Sequence, residues 1–318
     1  MKRNWLLASL IGGLAGVAIW HRRKKRRAAA VCWTVNNSLE EVLQAHAEYL
    51  RAEHPAYYDK FVSLVKADRE AAMGEATVFS LLRTYFRAEP QPADEPGKGG
   101  VDFVCRKGTP DKFVVEVTSL KPEAVAAQSD IPASIDDSVQ GASRMTTDQL
   151  FSTVKDKADQ LANYPCPRLL AITSTHPASP HLLGSSGAEF LLTSEPRISY
   201  PVAGSGAPVT MTTNLRRSVF FGPEESGTQI VSRRRSVSAV LLVALSDTQS
   251  GVVGLLHPDP VMKLKIERFR EVPFLRLANW PIVDGAINTE WIVSIPESKI
   301  FYHAPIWLRQ TARWDKKR

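Results

Sequence analysis

Three acidic residues stand where carboxylates are expensive. FVVEVTSL, residues 113–120, sets Glu116 inside an apolar, β-branched run, and GGVDFV, residues 99–104, places Asp102 fourteen residues before it. AMGEATVFSLLRTYFR, residues 72–87, carries Glu75 at the head of a stripe continued at helical spacing by Phe79, Leu82 and Phe86. A carboxylate on a core-facing surface needs a partner or a cation. Side chains alternate along a strand, so Glu116 and Thr118 share a face with Val114, opposite Phe113, Val115 and Val117. If the two strand segments pair antiparallel, Asp102 and Glu116 come to neighbouring positions on one face. Two carboxylates at close range repel unless a proton or cation sits between them. A hard divalent cation, Mg²⁺ or Mn²⁺, suits such oxygen donors. The plainer alternatives are a first-turn acid favoured by the helix dipole for Glu75, and exposed acids on a sheet edge for Asp102 and Glu116.

The elements that must position these residues are legible in outline. Ser38 with Glu41 gives a capping-box pattern at the head of one or two helices over 38–67. A helix over 72–87 ends before the Pro/Gly-rich AEPQPADEPGKGG. Strands at about 101–106 and 112–119, joined by RKGTPD, read as a hairpin. Residues 146–164 form a helix with Leu150, Phe151, Val154, Ala158 and Leu161 at helical spacing, and 167–175 a buried strand after Pro165. SVSAVLLVAL, 236–245, is a core strand, with EWIVSI at 290–295 among the segments that pair around it. The order predicts an α/β unit around a mixed sheet flanked by helices. The expected organisation is an apolar and basic N-terminus over 1–27, a helical region over 28–71, and an α/β domain over 72–318 with its core at 72–175 and an extension at 176–318.

Glu75 on a helix, GVD with Asp102, VEVT with Glu116, then a helix with Lys155, Lys157 and Gln160 and a following strand resemble the core of the PD-(D/E)xK nuclease superfamily, the restriction-endonuclease-like fold. The resemblance spans roughly residues 72–175, about a third of the chain. It implies that Glu75, Asp102 and Glu116 hold one or two divalent metals, Mg²⁺ or Mn²⁺, beside a scissile phosphate. It also implies metal-dependent phosphodiester cleavage of nucleic acid, with DNA the expected substrate. The family's lysine belongs two residues after the acid, where this chain has Thr118. A lysine from the next helix takes that place in some relatives, and the candidates are Lys157, which borders the apolar stripe, and Lys155, with Gln160 in support. Without such a lysine the resemblance implies an inactive nuclease-like fold that binds nucleic acid or protein.

Global charge says little about partners. The formal net charge is +7, but eight of the 40 basic residues and none of the 33 acidic ones lie before residue 28, leaving 32 bases against 33 acids. WLLASLIGGLAGVAIW at 5–20, followed by HRRKKRR, reads as a single membrane-anchor helix at the inner membrane, with residues 21–318 in the cytoplasm by the positive-inside rule. A peripheral anchor and an upstream start-codon assignment are the alternatives. The three cysteines lack CxxC spacing, and no HxH or HExxH pattern points to zinc. RRR at 233–235 and RR at 216–217 are candidate phosphate contacts, and His257 reads as a loop or core histidine.

Overall fold

The computed structural model describes residues 38–91, 100–121, 143–193, 196–199, 210–213, 218–225, 229–246, 251–269, 272–282 and 287–293. The helices among them are α1 (Leu39–Glu53), α2 (Pro55–Ala67), α3 (Arg69–Phe86), α4 (Ser143–Leu161), α5 (Ser179–Leu182) and α6 (Ser185–Thr193). The strands of the main sheet are β1 (Glu89–Pro90), β2 (Phe103–Cys105), β3 (Phe113–Ser119) and β4 (Arg168–Ser174). After two small hairpins, β5 (Pro196–Ser199) with β6 (Thr210–Thr213) and β7 (Phe221–Pro223) with β8 (Ile230–Ser232), it resumes with β9 (Ala239–Ala244), β10 (Gly251–Leu256), β11 (Pro273–Leu277) and β12 (Thr289–Val293).

Local chemistry sets the helix boundaries. The Ser38 hydroxyl accepts from the Glu41 N–H at 3.3 Å, and Glu41 Oε2 accepts from the Ser38 N–H at 3.0 Å, a complete capping box. Pro55 opens α2, where its missing N–H costs nothing. Asp68 caps α3 through the Ala71 N–H.

The sheet has eight strands in the order β1-β2-β3-β4-β9-β10-β11-β12. β1, β2 and β3 form an antiparallel meander, whereas β3, β4 and β9 run parallel. The β3–α4–β4 crossover therefore places α4 against one face. Val114, Leu170 and Ile172 pack there against Leu150, Val154, Ala158 and Leu161. On the other face Phe103, Val115, Leu169 and Ala171 pack against Val78, Phe79, Leu82 and Phe86 of α3. α1 and α2 cover the outer side of α3 through Leu43, Leu50, Phe61 and Ala76. Close approach of α3 to the sheet depends on Gly74, where an added Cβ would lie 2.3 Å from Thr173 Oγ1.

The membrane reading is corrected. Among the described residues no helix is long and apolar enough to cross a membrane. The segment at 5–20 lies outside the described residues. The anchor helix, the membrane partner and the single-pass inner-membrane location are not carried forward.

Candidate functional site

The site begins where a ladder stops. β2 pairs with β3 from Cys105↔Phe113 to Phe103↔Val115, and β3 then continues through Ser119 with, among the described residues, only β4 paired to it. The next position in register places Asp102 opposite Glu116. The Val117 N–H, which β2 no longer serves, donates to Asp102 Oδ2 at 2.8 Å. The backbone of Asp102 is fixed on both sides: its N–H donates to Val115 O at 3.0 Å, and its carbonyl accepts from the Gln91 N–H at 2.8 Å. Asp102 is thus built into the end of the hairpin.

Glu116 lies on the α4 side, with an exposure of 4%. Lys157 Nζ donates to its Oε1 at 2.6 Å, and Gln160 Nε2 approaches the same oxygen at 3.2 Å. Lys157 also donates to Gln160 Oε1 at 3.0 Å, and Gln160 Nε2 donates to Gly100 O at 2.8 Å. One turn further along, the Tyr164 hydroxyl accepts from the Val101 N–H at 3.1 Å. The C-terminal part of α4 and the residues just after it therefore clamp the backbone leading into Asp102 while delivering an ammonium to Glu116. Lys155 faces solvent two residues away. Thr118 contributes its carbonyl to Thr173 Oγ1 at 3.5 Å, a structural contact.

Glu75 reaches the same region from α3 with an exposure of 6%. Its neighbours come from the two N-terminal helices, whose contribution to the site the sequence reading missed. His46 of α1 places Nε2 3.9 Å from Glu75 Oε1. Burial first, and then Arg83, push its pKa down to about 3, so the contact is not an ion pair at neutral pH. Tyr57 of α2 is buried beside Glu75. Burial raises its phenol pKa, and Glu75, Asp102 and Glu116 all add to the rise, so one hydroxyl senses the three carboxylates. Lys60 stacks over the Tyr57 ring at 5.0 Å, and its charge favours ionisation of both Glu75 and Asp102. The available signal was His46 on the apolar stripe of Val42, Leu43 and Leu50, with Tyr57 and Phe61 buried on the helix that follows.

The three carboxylates repel one another, and their pKa values show it. Each is raised to about 7, with burial the largest cause; Glu116 adds to the rise at Glu75, Glu75 to that at Asp102, and Asp102 to that at Glu116. Among the described residues Glu75 Oε1 and Glu116 Oε2 are buried without hydrogen-bond partners; the Tyr57 hydroxyl makes no bond of ordinary geometry either, although it lies close enough to Glu75 to favour its ionisation. Unpartnered buried oxygens next to other acids are available to a hard cation. Among the described residues, however, no three His, Cys, Asp or Glu side chains are spaced to hold a metal as they stand. The described cavities lie elsewhere, around Arg106.

The other candidates are absorbed by the fold. Arg233 donates to Pro223 O at 2.7 Å, Arg234 to Val219 O at 2.6 Å while lying over Phe151, and Arg235 pairs with Asp259 at 3.2 Å. RR at 216–217 lies outside the described residues. His257 is buried and bonded to Arg233 O at 2.7 Å, a core histidine. No family model matches the chain, and neither the curated proteins nor the solved structures contain a match.

Proposed function

We propose that the chain is a metal-dependent phosphodiesterase acting on nucleic acid, with DNA the first substrate to test. The observation that carries this reading is the 2.6 Å bond from Lys157 to Glu116. A lysine from the helix after β3 reaches the acid at the point where Thr118 interrupts the resembled motif. The meander, the parallel β3–α4–β4 crossover and Glu75 on the preceding helix are consistent with the same reading.

Glu75, Asp102 and Glu116 would hold Mg²⁺ or Mn²⁺ through the unpartnered oxygens of the two glutamates and a carboxylate oxygen of Asp102. A cation bound there lowers the pKa of its water and neutralises charge on a phosphoryl group. The chain's own residues do the rest. Asp102, held by its backbone and by the Val117 N–H, fixes the position of the acidic cluster against the hairpin. Lys157 carries a positive charge, positioned by Gln160, to the side where the leaving group and phosphoryl oxygens build up negative charge. Tyr57 and His46 exclude water from the Glu75 side and remain neutral.

The test is cleavage of labelled single- and double-stranded DNA and RNA by the full chain with Mg²⁺ or Mn²⁺, against an EDTA control. Wild type is expected to cleave, and Asp102→Asn and Glu116→Gln to fall to the EDTA background. The second reading, a nuclease-like binding module without activity, is favoured by Thr118, which stands where the resembled motif has its lysine. It predicts nucleic-acid binding with no cleavage under either cation.

A further inference from the structure

At the end of the β2–β3 hairpin away from the carboxylates, two arginines line one cavity. The β1–β2 register pairs Glu89 with Val104, which sets Arg87, the C-cap of α3, opposite Arg106. Both adopt left-handed backbone, with φ of 51° and 54°. Arg87, Arg106 and Lys107 line a cavity of about 430 Å³ together with Glu89. That volume is within the range of ligand sites.

The charges around it do not balance. Glu89 is 3.6 Å from Lys107. Asp111 lies 3.8 Å from Arg106 but is already engaged by Lys265 at 2.6 Å and Arg268 at 2.8 Å. Among the described residues Arg106 Nε is buried with no hydrogen-bond partner. No hydrogen bond or ion pair reaches the Arg87 side chain among the described residues. On the far side of Arg106, Lys263 joins Lys265 and Arg268 around a second cavity of about 50 Å³. Among the described residues six cations thus face two carboxylates, in a chain whose sequence beyond residue 27 holds 32 bases against 33 acids. Like charges gathered across paired strands cost stability, and a polyanion repays that cost.

We propose that this face binds the phosphates of a nucleic-acid backbone and anchors the strand whose scissile phosphate lies at the carboxylates. The proposal rests on the nuclease reading for the path of the strand. Asp102 and Arg106 flank β2, four residues apart, about 13 Å at full extension. The anchor therefore lies within a few nucleotides of the cleaved bond. Arginines and lysines that meet phosphates set register and orientation and leave base sequence unread.

The test is fluorescence anisotropy of a labelled oligonucleotide, single- and double-stranded, with the full chain in EDTA across a salt series. Arg87→Asn with Lys107→Ala removes two charges. Asn tolerates the left-handed backbone at 87, and circular dichroism checks the fold. The basic run at 22–27 is present in both proteins and cancels in the comparison. The slope of log K against log salt on duplex DNA is expected to fall by about two relative to wild type. Equal slopes for wild type and the double variant overturn the anchoring face while leaving any measured cleavage intact. Wild type that ignores nucleic acid and binds acidic lipid vesicles also overturns it. A reduced slope in the double variant without cleavage under Mg²⁺ or Mn²⁺ upholds the face and removes the reaction.

Discussion

Glu116 uses its two oxygens differently: Oε1 receives Lys157 and Gln160, whereas Oε2 is buried without a partner. That division ties Lys157 to both chemistry and stability. Lys157→Met removes the charge offered to the phosphoryl group and is expected to lower kcat of the proposed cleavage by about a hundredfold or more, with Lys157→Arg retaining part of it. It also removes the cation that lowers the Glu116 pKa, so that pKa rises further above its present value of about 7. At about pH 6 the carboxyl accepts a proton and the loss is small. At about pH 8 it must stay charged without its partner or take up a proton against the pH, and the loss grows. Thermal melts should therefore show a wider gap between wild type and variant at the higher pH. An equal gap at both would mean that Lys157 does not hold the Glu116 charge. Lys157 was legible from its place at the border of the stripe begun by Leu150, because helical spacing fixes which side chains meet a sheet. Tyr57 and Lys60 were not, because their meeting with Glu75 depends on how α2 folds back over α3, a tertiary fact with no periodic signature.

At the scale of elements, the position of Glu75 depends on how closely α3 lies on β4. Gly74 sits at the contact, with an added Cβ only 2.3 Å from Thr173 Oγ1. Gly74→Ala gains helix propensity of about 1 kcal/mol but forces the helix or Thr173 away, at a cost of about 1–3 kcal/mol. The net expectation is a lower Tm, with a larger proportional loss of cleavage because Glu75 moves with its helix. A variant as stable as wild type would show that Thr173 can rotate aside. The stripe of Glu75, Phe79, Leu82 and Phe86 was readable because burial at helical spacing leaves a pattern in one segment. The hairpin was readable because a turn separates two β-branched runs, and Ala239–Ala244 because it is apolar throughout. What escaped was pairing between distant segments. β1 has two residues, too few to leave a pattern, yet Gln91 just beyond it holds the Asp102 carbonyl. β10 and β11 carry Gly254 and Pro273, which read as breakers until the sheet brings Phe274 over the glycine.

Across the whole molecule, the acidic cluster ties stability to pH. Folding raises the pKa of Glu75, Asp102 and Glu116 to about 7, above the ordinary carboxylate range in which the unfolded chain titrates them. A raised folded pKa means that the native state holds protons more tightly than the unfolded one. The resulting stabilisation is fully present below the ordinary carboxylate range and is lost as pH rises through about 7. In EDTA, Tm should accordingly fall between about pH 5.5 and about pH 8 as charges accumulate in a buried site. A divalent cation reverses the trend, because its ligands must be ionised and protons compete with it. At about a hundredfold excess over Kd, Mn²⁺ is expected to raise Tm by about 5–10 °C near pH 8 and by much less near pH 5.5. Asp102→Asn and Glu116→Gln should flatten the fall in EDTA and remove the rise with Mn²⁺. A cation effect that is the same at both pH values, or that survives both substitutions, would place the cation elsewhere on the chain. The second reading would then be the stronger one, with the cluster serving as a proton store that holds α3, α4 and the hairpin together near neutrality.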